Sequence, residues 1–362
     1  MDKTYKRRWV NRIRWEMKRP VLALLMIVIA VAAFSAGWFL KPTPVARMED
    51  VTFALNWLFD GEHPFYFAAL DKGYYRENGL NVKIVRGFGS FDTVKRVETK
   101  EATFGLADPG SVIVGRAQGF KVKIVAIVFD LPPFGVHTLK ESGIDHPSKL
   151  VGKTIGAPAG DTQRILFPVL AKAVGIDPNS VTWVTMEAGS KIPSLAQKKV
   201  DATVYFFDGY ETIYRACGGK EKVNIMPWYK YGVDMYGMSL IVHEDTIKNN
   251  PSMVKRFVDA TLRGIQYGIM NPEESVKIML DYQPQLDKDL VLSQMKVDIS
   301  LMLTDRFKDH GIGWIEKDRM QKTVDAVVSA YGISTIPVEE VYTTEFLTRY
   351  ELPQVTYEIP EF

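Results

Sequence analysis

Trp57, Phe59, Asp60, Glu62, His63, Phe65 and Tyr66 fall within ten consecutive positions, a density of rings and hydrogen-bonding groups suited to holding a small polar ring. Similar groups recur at four later turns: Ser90 within Arg86–Asp92, Asp108 before Ser111, Asp161–Thr162, and Asp208 with Tyr210 and Glu211. Aromatic faces stack on a flat heteroaromatic ligand for roughly 0.5–1.5 kcal/mol per pair beyond the area buried. Carboxylates beside them accept hydrogen bonds from ring amines. The expected ligand-binding set is therefore Trp57, Asp60, His63, Tyr66, Ser90, Asp108, Asp161, Thr162, Asp208, Tyr210 and Glu211. Two competing roles stand beside it, since rings also pack cores and acidic turn residues also cap helices.

Catalytic signatures are sparse. There is no phosphate-cradling Walker loop and no Gly-x-Ser-x-Gly elbow, and Gly87-Phe88-Gly89 lacks the third glycine of a dinucleotide fingerprint. The five histidines, His63, His137, His146, His243 and His310, show no metal-ligand spacing, so no metal and no cofactor is expected. Ser111, Ser190 and Ser239 lack a nucleophile's context. A single cysteine, Cys217, excludes an intramolecular disulfide.

The elements that must position these residues alternate strand and helix. Val51, Phe53 and Leu55 alternate with Thr52, Ala54 and Asn56, the period of a strand with one face on a core. A short helix follows over Phe65–Lys72 and a parallel partner strand over 81–85. Helix 92–99, strand 103–107, helix 111–118 and the apolar strand 121–129 complete the first series. A second begins near Val136, with strands at 153–157, 181–184 and 202–206 and helices at 163–174 and 194–198. Two α/β lobes joined by two crossovers leave a cleft between them. Lobe 1 is expected at 51–135 plus 242–335, lobe 2 at 136–241, and a proline-spaced tail at 336–362. Asn250–Pro251 and Asn271–Pro272 each open a helix with proline at its first position.

Ahead of the lobes, residues 1–20 carry eight basic side chains against Asp2 and Glu16, so a chain of net charge +2 owes its basicity to this tail. The folded body is net acidic, which argues against nucleic acid as a partner. Val21–Leu40 contains no charge and is long enough to cross a bilayer, as an anchor or an uncommonly long signal segment. The basic tail would then stay cytoplasmic, and everything beyond the 41–50 linker would lie outside the cytoplasm, held to the membrane by this segment.

A set of short motifs resembles the ABC-transporter solute-binding proteins of the thiamine-pyrimidine and sulfonate/nitrate type. They are LNW at Leu55–Trp57, KGYYRENGL at Lys72–Leu80, GFGSFDTV at Gly87–Val94, ATFGLADPGS at Ala102–Ser111 and KTIGAPAGD at Lys153–Asp161. Val200–Ala202 and Tyr282–Leu290 extend the likeness over about residues 51–335. The resemblance implies an α/β, two-lobed, type II periplasmic-binding fold that closes on a small-molecule ligand and delivers it to ABC permease subunits. It also touches the fungal pyrimidine synthase, which uses a lysine-bound pyridoxal phosphate. Ala107 stands where the synthase has that lysine and Ser111 where it has its sacrificial histidine, so the same chemistry is not expected. An oxyanion ligand remains open, with Arg86 and Arg164 as its candidate donors.

Overall fold

The computed structural model describes residues 48–362; the basic tail, the apolar run at 21–40 and the linker up to Arg47 lie outside the described residues. Among the described residues no helix is long and apolar enough to cross a membrane.

Two five-stranded sheets are built to one plan. The first contains β1 (Glu49–Ala54), β2 (Leu80–Val85), β3 (Phe104–Ala107), β4 (Val122–Phe129) and the late strand Met238–His243. The second contains β5 (Phe134–Leu139), β6 (Thr154–Ala157), β7 (Thr182–Thr185), β8 (Ala202–Phe206) and β9 (Val223–Pro227). Calling Met238–His243 β10, the orders are β2-β1-β3-β10-β4 and β7-β6-β8-β5-β9. Each sheet thus has three parallel strands followed by an antiparallel one: β10, which returns after the whole second sheet has been built, and β5, the first strand of its own sheet. The crossovers run from Phe129 to Phe134 and from Pro227 to Met238. This is a periplasmic-binding-protein α/β fold.

Local sequence explains the joints. Gly73 and Gly79 take φ of 77° and 70°, left-handed values that glycine adopts without a Cβ penalty, and they turn the chain from the first helix into β2. The stretch expected as one helix over 163–174 is two, Thr162–Ile165 and Phe167–Val174, because Leu166 and the following Pro168 break the ladder. Asp108 caps Pro109–Ala117 by accepting from the Ser111 amide, and Asn250 caps Pro251–Met270 by accepting from Met253.

Helix Pro251–Met270 lies against Pro64–Asp71 and carries the densest part of the first core. Phe257 stacks on Phe104 with centroids 3.8 Å apart and meets Phe53 edge-on at 5.1 Å. Gly264 permits the close approach, since a Cβ there would come within 2.4 Å of Ala69 Cβ. The chain from Val338 onward returns to both sheets. Thr343 N donates to Ile124 O at 2.9 Å, and Phe362 packs edge-on against Phe207 at 5.6 Å.

Candidate functional site

The turn after β1 faces the second sheet across a nearly closed cavity of about 20 Å³, room for about one water as the loops stand. The first sheet contributes Asn56, Trp57 and Asp60. Across from them stand Asp161, Thr162, Gln163, Lys191, Tyr205 and Phe206.

The first wall is a closed hydrogen-bond circuit. Asn56 Nδ2 donates to Glu62 Oε2 at 2.8 Å, which turns its Oδ1 toward His63 Nε2 at 3.1 Å. Nε2 is then the protonated nitrogen, and His63 Nδ1 accepts from the Asp60 backbone N–H at 3.2 Å. The Gly61 amide donates to Gln294 Oε1 at 3.1 Å, tying the turn to helix Lys288–Met302.

Lys191 dominates the second wall. Its side chain is only 1% exposed, its Nζ lies 2.6 Å from Asp161 Oδ2, and the ammonium sits over the Trp57 and Tyr205 rings at 4.6 and 5.0 Å. Burial pulls its pKa down, and the Asp161 charge and hydrogen bond oppose that. Asp161 Oδ1 also accepts from the amides of Gln163 and Arg164. Gln163 Nε2 donates to the Gly135 and Tyr205 carbonyls, and His137 Nε2 donates to the same Tyr205 oxygen at 3.0 Å. Burial holds His137 down at about 4.

Behind the first wall lies a cluster of buried carboxyl groups. Burial, then the Asp60 charge, pushes Glu62 well above the usual carboxylate range. Asp208 is raised by the same two causes in the same order. Burial raises Asp298 as well, followed by Asp208, Glu62 and Asp60. Asp60, Glu62 and His63 also bring ligand atoms within 4.8 Å of one another, a grouping that histidine spacing alone does not reveal.

Of the residues singled out from sequence, Trp57, Asp60, Asp161 and Thr162 line the cavity. The others sit elsewhere, each for a packing reason. His63 is buried behind Asn56, and Tyr66 is in the core, edge-on to Phe53 at 5.3 Å. The Asp108 amide donates to Ser90 Oγ and its carboxylate accepts from the amide and hydroxyl of Ser111, and burial raises the Asp108 pKa. Asp208 is buried in the Phe207–Gly209 turn. Tyr210 and Glu211 share Ser293 Oγ, at 3.0 Å each, away from the cavity. The oxyanion candidates also face away. Arg164 bonds Ala157 O and Thr185 Oγ1, while Arg86 stacks on the exposed Phe88 ring at 4.7 Å.

Asn56, Gln163, Lys191, Tyr205 and Phe206 complete the lining. Asn56 was within reach as the middle residue of LNW, and Tyr205 and Phe206 as rings at a strand end. Nothing in the sequence marks Lys191, because its burial depends on Asp161, thirty positions away.

The sequence model of the family described as NMT1/THI5 like matches residues 60–275. A formylaminopyrimidine-binding protein of Halalkalibacterium halodurans is 25% identical, covering 78% of this chain and 84% of that protein. A 4-amino-5-hydroxymethyl-2-methylpyrimidine phosphate synthase of Legionella pneumophila is 26% identical over 82% of this chain and 92% of its own. Among solved structures, a Candida albicans gene product described as having the generic periplasmic binding protein fold superposes with TM-score 0.64 at 16% identity. It covers 84% of this chain and 99% of that one.

Proposed function

Because this chain belongs to the NMT1/THI5-like family, we propose that it is a solute-binding protein that closes its two lobes on a small heteroaromatic ligand resembling a thiamine-pyrimidine precursor and hands it to an ABC importer. The cavity carries this reading. It presents the Trp57 and Tyr205 rings for stacking, Asp60, Asn56 and Thr162 for amino and ring-nitrogen groups, and no arginine. Its one cation, Lys191, is already paired with Asp161. An oxyanion would find no unpaired cation on this wall, and its charge would face Asp60. A formylaminopyrimidine-binding protein among the relatives agrees with a ring-shaped solute.

A synthase role is less well supported. Ala107 is buried at the end of β3, so the position that holds the cofactor lysine in the related synthase offers no amine. The apolar run at 21–40 and the basic tail before it support an extracytoplasmic protein, anchored or secreted.

Calorimetric titration of the full chain tests the ligand class. Saturable binding of a 4-aminopyrimidine with none of an alkanesulfonate is the expected result. The reverse pattern would replace the reading with an oxyanion binder.

A further inference from the structure

Stacking of a solute meets an obstacle in the cavity itself. As the loops stand there is room for about one water, and the ring faces that would take a solute are already covered. Lys191 Nζ lies 4.6 Å from the Trp57 ring centroid and 5.0 Å from that of Tyr205, and the two ring planes are 80° apart, so the rings form a corner around the ammonium. Asp161 Oδ2, at 2.6 Å, closes a third side. Near-perpendicular aromatic faces with a carboxylate are the groups that recognise an organic cation. Here the cation comes from the chain itself, on a side chain 1% exposed. Asp161 is positioned without it, because Oδ1 accepts the Gln163 and Arg164 amides and so holds Oδ2 in place. Solvent lies one residue away, since Lys191 begins the short helix Lys191–Ala196 directly after the exposed Gly189 and Ser190.

We propose that Lys191 is a built-in occupant of a cation subsite, that a solute binds by displacing its ammonium from Trp57, Tyr205 and Asp161, and that the part of the solute taking its place is itself positively charged. This rests on the solute-binding reading above and narrows the solute to a flat heteroaromatic cation, such as a ring protonated at nitrogen beside an exocyclic amine. Charge balance carries the narrowing. Once the ammonium leaves, Asp161 Oδ2 is a buried acceptor without its partner, and a neutral solute leaves that charge uncompensated. A ring N–H⁺ restores both the charge and the charge-assisted hydrogen bond. Asp60, on the facing wall, favours the same sign. The competition weakens every solute and discriminates most strongly against neutral ones.

The test compares N-methylpyridinium, a flat ring of fixed charge, with 4-aminopyrimidine by calorimetry on the full chain and on Lys191→Met, circular dichroism having established that the variant is folded. With the internal competitor gone, N-methylpyridinium is expected to bind Lys191→Met roughly tenfold or more tightly than wild type. Equal or weaker binding in the folded variant overturns the proposal, weaker binding because it makes the lysine a direct contact of the solute. A wild-type measurement decides the matter even if Lys191→Met does not fold. Reductive methylation of lysines, read by peptide mass spectrometry, should reach Lys191 faster as either ring compound is added. An unchanged rate up to the solubility limit of both compounds overturns the proposal as well. The two readings fail separately. Pyrimidine binding with no gain in Lys191→Met removes the displacement and keeps the pyrimidine-type reading, whereas a gain for N-methylpyridinium with no pyrimidine binding to either chain keeps the displacement and removes that reading.

Discussion

Trp57 and Lys191 together decide what the cavity can hold. The indole is half-buried, with one face turned to the ammonium and its edge toward Tyr205 at 6.4 Å, so it contributes to the cavity wall more than to the core. Trp57→Ala should lower affinity for the heteroaromatic solute about tenfold or more, combining lost stacking with lost buried area. Its thermal unfolding should stay near wild type; a large drop in melting temperature would instead assign the ring to the core. His137 gives a second prediction at this scale. Its folded pKa is about 4 against an ordinary value near 6.5, so the unfolded chain takes up a proton that the folded chain refuses. The sign follows: this contribution to stability is intact above pH 6.5 and is lost as pH falls toward 4, to a maximum of about 3 kcal/mol. Burial is the main cause and the nearby Lys191 charge adds to it. Urea unfolding between pH 7 and 4.5 should show wild type losing more stability than His137→Asn, and equal losses would refute the assignment. Reading these residues from sequence had a definite limit. Turn composition pointed to Trp57 and Asp60, which line the cavity, but Tyr66, expected in the cleft because it lies beside polar residues, sits at α-helical spacing inside an apolar run and packs in the core.

At the scale of elements, two glycine-containing loops, around Gly89 and Gly160, come into close contact, and lobe closure in the proposed function would depend on that approach. Gly89 has φ of 125°, and a Cβ there would lie 2.0 Å from the Gly160 carbonyl oxygen across the cleft. Gly89→Ala is expected to keep the loops apart, seen as a larger radius of gyration with solute present and weaker binding. Each 1.4 kcal/mol of clash corresponds to about tenfold in affinity. Unchanged affinity would mean that this contact is not made in the bound form. In the core, Phe257 meets three rings, Phe53, Phe104 and Tyr75, so Phe257→Ala should cost about 3–5 kcal/mol in chemical denaturation. Alternation and proline-led helix starts made β1, β2 and helix Pro251–Met270 legible from sequence. β9 and the break at Leu166 were not legible, because both are set by neighbours in the sheet and by a proline whose effect depends on the local turn.

The whole molecule repeats one sheet plan twice, the second sheet built from consecutive strands and the first completed by β10 after the chain returns. β5 and β10 are each laid antiparallel between partners from their own sheet, and the cavity opens where the loops of both sheets converge. The C-terminal segment touches both halves, through Tyr342 beside Ile124 and Phe362 beside Phe207 and Tyr210, so it bridges the two sheets. That two-lobed frame was visible in the order of strands and helices along the chain. The ligand chemistry was less so, because the cavity's charge balance depends on Lys191 pairing with Asp161 and on arginines that turn outward. The most direct measurement is therefore a pair of calorimetric titrations on the full chain, one with a 4-aminopyrimidine and one with an alkanesulfonate. Saturable 1:1 binding of the pyrimidine alone, weakened in Trp57→Ala, is what this account predicts; tight sulfonate binding without pyrimidine binding would contradict it.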